Sequence, residues 1–204
     1  MANSSILGYD LRIHPRHLPP WSLQRRTLYL LQPQVRTPLS LDQALWPSRF
    51  ASNTYDLEEG LILVSSEFVY FQIVGLFPHL AEIKDLSDPT IADDLVIAVT
   101  FEDELKPPHW DNLPQTPNHA KPLDNWRFLG FDVTDDGFIS GLSNCGYDDH
   151  ERPTYQRQWA SSLNTHGLFK DLAQAQAFRE DACHRVAEHA PFYVFGLYLV
   201  EGQL

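Results

Sequence analysis

Phe192-Tyr193-Val194-Phe195-Gly196-Leu197-Tyr198-Leu199-Val200 is the stretch that decides the fold. The run is apolar or aromatic at both parities, so neither face of a strand built from it would suit water. A strand of that kind belongs inside a sheet, covered by other elements. Pro191 stands just before it and opens the extended segment. Residues 192–200 are therefore expected as an interior strand, covered on at least one side by helices.

Those helices are expected immediately upstream. Over roughly residues 170–188, Leu172, Ala175, Phe178, Ala182 and Val186 fall on one helical face. Before them, Tyr155, Trp159 and Leu163 repeat at i, i+4 and i+8, which predicts another helix ended by Gly167. Further back the period changes. Residues 128–133 and 138–143 flank Thr134-Asp135-Asp136-Gly137, and Asp-Gly supplies the positive φ of a tight hairpin turn. Alternation would put Leu129, Phe131 and Val133 on one face and Asp132 on the polar face. Leu95–Phe101 is a near-continuous apolar run and reads as a strand buried on both faces. Residues 61–64 and 68–74 are β-branched and aromatic without a helical stripe, and read as strands.

The flanking segments are rich in proline. Pro15, Pro19, Pro20, Pro33 and Pro38 lie among Arg12, Arg16, Arg25, Arg26 and Arg36, which forbids a long helix there. Residues 27–31 suit a short strand, and Ser40 with Gln43 has capping-box spacing for a helix that Pro47 soon stops. Pro107-Pro108 and the prolines from Pro114 to Pro122 make 105–126 a long Pro-rich loop. Strands first and helices late predict an α+β fold, mainly an antiparallel sheet with two C-terminal helices packed on it. The chain is read as one domain, 1–204, with 1–50 as a Pro/Arg-rich N-terminal segment.

Composition agrees with a folded protein. Of 204 residues 43% are hydrophobic, with 12 Phe, 8 Tyr and 5 Trp available to a core. The charge is regional. Residues 51–150 hold 19 Asp and Glu against 4 Lys and Arg, a balance of −15 in a chain whose total is −12. Such a field repels nucleic acid and anionic membrane and favours a basic partner. The most apolar stretch, 60–77, contains Ser65, Ser66, Glu67 and Gln72, which argues against a membrane-spanning helix. The start, residues 1–10, has no basic segment followed by an apolar one, so no secretory signal is expected. Two cysteines, Cys145 and Cys183, are too few for a disulfide scaffold. A cytoplasmic location follows as the expectation.

Several constellations bear on chemistry. Cys145 lies in Ser143-Asn144-Cys145-Gly146-Tyr147, and nine histidines are available to activate a thiol. It matches no protease signature, and a buried structural thiol is the simpler role. His14 and His17 lack an evident third ligand and sit beside Arg12 and Arg16, so no metal is expected there. Glu180, His184 and Glu188 share one helical face, which reads as solvated. Asp132 could act with Asp135 or Asp148 in carboxylate chemistry, but no second element fixes their separation. Neither GxxxxGK[ST], GxGxxG nor GxSxG occurs, and no cofactor is expected. Arg25-Arg26 with Trp21 and Tyr29 is too small a basic patch to bind nucleic acid against the overall charge.

Taken over its whole length, this cytosolic, acidic, aromatic-rich chain without catalytic apparatus resembles the small immunity proteins that bacteria encode beside polymorphic or secreted toxins. The resemblance is one of overall character and transfers no individual residue role. It implies a stoichiometric inhibitor that binds a toxin domain, steered by acidic residues and held by a few buried aromatics. The acids expected to face a basic protein partner are Asp93, Asp94, Glu102, Asp103, Glu104, Asp132, Asp135, Asp136, Asp148 and Asp149. The alternative is a small cytosolic hydrolase using Cys145 or the Asp132 region.

Overall fold

A computed structural model describes residues 6–12, 79–84, 95–103, 121–135, 140–142 and 150–200. Along the chain these form β1 (Ile6–Arg12), α1 (Leu80–Lys84), β2 (Leu95–Phe101), β3 (Arg127–Thr134), α2 (Arg152–Trp159), a 3-10 turn (Ala160–Ser162), α3 (Leu172–Arg185) and β4 (Tyr193–Leu199). The strands make one antiparallel sheet in the order β1-β2-β4-β3. The fold is thus α+β, with the last strand interior as its two-sided apolar run requires. β2, the other two-sided run, lies beside it.

Alternation along β4 sorts the core onto two faces. Tyr193, Phe195 and Leu197 pack with Ile97, Val99, Leu129 and Leu168. The opposite face carries Val194 and Phe192, which pack with Val133, Trp159, Phe169, Ala175, Phe178, Ala182 and Val186 under α3. Further along that same face Tyr198 joins Ile6, Tyr9, Val96, Ala98 and Trp126 beneath Ile83 of α1. The apolar stripe read for 170–188 is therefore the surface that docks α3 on the sheet. Asp171 caps this helix, accepting the amide of Gln174 at 2.9 Å. His184 and Arg185 stand in its last turn, where positive charge suits the helix dipole.

Four local expectations are corrected. The helix begun at Arg152 stops at Trp159 and tightens into the 3-10 turn, so Leu163 is extended, with φ −93° and ψ 150°. Gly167 serves instead in a small hairpin. Asn164 Oδ1 accepts the amides of His166 (2.8 Å) and Leu168 (3.2 Å), Gly167 takes φ 73°, and Leu163 bridges Phe169. In β3, Leu129 does not share a face with Phe131 and Val133. The register shifts between Phe128 and Gly130, Gly130 takes φ 140°, and Leu129 turns into the opposite core cluster. The return strand expected at 138–143 is, among the described residues, an isolated bridge of Ser140 to Thr134, after which Gly141 and Leu142 turn. At the end of the Pro-rich loop, Trp126 is buried and meets Tyr9 edge-on with ring centroids 6.0 Å apart.

β1 and α1 carried no expectation. The expected strands at 27–31, 61–64 and 68–74, the helix after Ser40 and residues 105–120 of the loop lie outside the described residues.

Candidate functional site

The face of the sheet between α1 and α3 holds the most distinctive grouping of polar and aromatic side chains among the described residues. At its centre is Gly196, opposite Thr100 on β2 and Phe131 on β3. A Cβ on Gly196 would lie 2.5 Å from Thr100 Oγ1, 3.0 Å from Glu102 Oε1 and 3.4 Å from Tyr198 Cε2. The glycine is needed chiefly because the Thr100 hydroxyl stands over it, with the Glu102 carboxylate beside that hydroxyl. Thr100 donates its hydroxyl to Glu102 Oε1 at 2.7 Å and fixes the carboxylate there. Phe128, opposite Tyr198, completes the wall. Its ring centroid lies 4.9 Å from Phe131 and 5.0 Å from Tyr198, both in tilted, edge-type arrangements. Phe128 is 40% exposed, with Phe131, Tyr198 and Glu102 half-buried. Burial, and then the Glu102 charge, push the Tyr198 hydroxyl above its ordinary pKa.

The acids singled out from the sequence separate in their surroundings. Asp103 is only 3% exposed at its side chain and is bonded to Arg179 of α3 and to the Val194 amide. Burial pushes its carboxyl up, against the lowering effects of the Val194 amide and Arg179. Asp132, expected on a polar face, is 0% exposed. Its Oδ1 accepts from the Ser140 hydroxyl at 2.8 Å and from the Val133 amide at 2.9 Å. The face opposite Phe131 is a core face, so the alternation was right and its assignment to solvent was not. Asp135 is also buried, with His189 Nδ1 3.9 Å from its Oδ2. These three carboxylates are committed to holding the fold, and only Glu102 of the described set reaches the surface. Asp93, Asp94, Glu104, Asp136, Asp148, Asp149 and Cys145 lie outside the described residues.

Glu180, His184 and Glu188 are exposed, as a solvated face requires. Among the described residues no group of three or more His, Cys, Asp or Glu is arranged to hold a metal ion, and no helix is long and apolar enough to cross a membrane. Cys183 is a free, half-buried thiol that accepts the Phe192 amide at 3.4 Å.

Sequence reasoning missed Phe128, Phe131, Tyr198 and the role of Gly196. One signal was present: Gly196 is the single residue without a side chain in an otherwise bulky strand, and such a glycine marks a close approach. Comparison of the chain with protein-family profiles, with curated proteins and with solved structures finds no match.

Proposed function

We propose that this chain is a non-catalytic protein-binding protein, an immunity protein that neutralises a cognate bacterial toxin by binding it. The observation that carries the proposal is the balance of −15 over residues 51–150. An acidic field of that size raises the encounter rate with a basic surface and repels nucleic acid. The exposed Phe128 beside Phe131 and Tyr198 adds an anchor of the type that supplies affinity at protein interfaces. The described carboxylates Asp103 and Asp132 are engaged within the fold, which gives them a structural task.

The test is to look for a toxin domain encoded immediately upstream of the gene and to co-express the two; absence of such a neighbour would count against the immunity reading. Growth should be restored, and the purified pair should form a stoichiometric complex. Its association rate should fall steeply with added salt, since the field is screened within about 8–10 Å at physiological ionic strength. Neutralising Glu102 and Glu104 should slow association more than it speeds dissociation, with Asp103 left intact because its carboxylate supports the fold. Association indifferent to salt and to these changes would reduce the acidic segment to a solubility device. Cys145→Ala should leave protection unchanged. Loss of protection in a Cys145→Ala protein that still melts normally would favour the hydrolase.

A further inference from the structure

We draw no further inference here: the strongest candidate, the aromatic patch of Phe128, Phe131 and Tyr198 on the face of the sheet, belongs to the site already described, and nothing in the structure shows what covers it.

Discussion

Asp103 and Arg179, 76 positions apart in the chain, are paired side chain to side chain. The second oxygen of the same carboxylate accepts the amide of Val194. One group thus ties the end of β2 to α3 and to the start of β4. Removing it leaves a buried amide without its acceptor. Asp103→Ala should therefore lower the unfolding free energy by about 2–4 kcal/mol. Urea denaturation would measure this. A loss under about 0.5 kcal/mol, the range of ordinary surface changes, would show that the bond network contributes nothing net.

The same residue predicts a pH signature. Burial raises the Asp103 pKa more than the Val194 amide and Arg179 lower it. The folded chain then holds this proton to a higher pH than the unfolded chain, whose carboxyl titrates near 3.8. Its contribution to stability is fully present below 3.8 and is lost as pH rises through the folded value. Asp103→Asn cannot titrate. Wild-type stability measured relative to Asp103→Asn should therefore fall as pH is raised from 3.8 upward. A relative gain over that window would mean that pairing with Arg179 outweighs burial.

Two glycines should respond differently to alanine. At Gly130 the added Cβ meets Leu168 Cβ at 2.6 Å and the Phe169 carbonyl oxygen at 2.9 Å, on a backbone at φ 140°. Neither atom can turn away, and strain adds to the clash, so Gly130→Ala should cost about 2–4 kcal/mol. At Gly196 the nearest atom is the Thr100 hydroxyl oxygen, 2.5 Å away. Gly196→Ala should cost about 1–3 kcal/mol, and Thr100→Ala in the same chain should recover part of it. Thermal melts of the two single variants and the double variant would decide the comparison.

Val194→Asp should unfold the protein or cost several kcal/mol, because Val194 is fully buried under α3 and a charge there has no partner. Circular dichroism and a denaturant titration would report it. A stable, native-like Val194→Asp protein would show that the α3 face of β4 is not a packed core.

The legible parts of the fold were those written as long periodic patterns. Residues 192–200 and Leu95–Phe101 are apolar at both parities and became the two interior strands, and the stripe from Leu172 to Val186 became the docked face of α3. The misread parts turn on single residues that break a period. Leu129 looks in phase with Phe131 until the bulge at Gly130 moves it to the other face. Leu163 continues the spacing of Trp159, yet the Asn164 side chain offers the backbone a turn and the helix ends. β1 went unread although Leu7, Tyr9 and Leu11 alternate, because a seven-residue strand gains its stability from the neighbour it pairs with. Acidity over 51–150 was plain, but burial of Asp103, Asp132 and Asp135 depends on partners distant in the chain or across a turn, which composition does not encode.

The hairpin from Leu163 to Phe169 has a consequence for assembly. Phe131 lies on an outer strand, and its outward amide and carbonyl are both taken by Phe169, at 2.9 and 2.8 Å. Asn164 Nδ2 reaches the Leu129 carbonyl on the same margin at 2.6 Å. A foreign strand arriving there would have to strip off this hairpin before it found a backbone group to pair with. The β3 margin is thereby closed to sheet extension, whether by a partner, by a second copy or by an aggregating chain. Recognition at this end of the molecule must use side chains on the faces of the sheet.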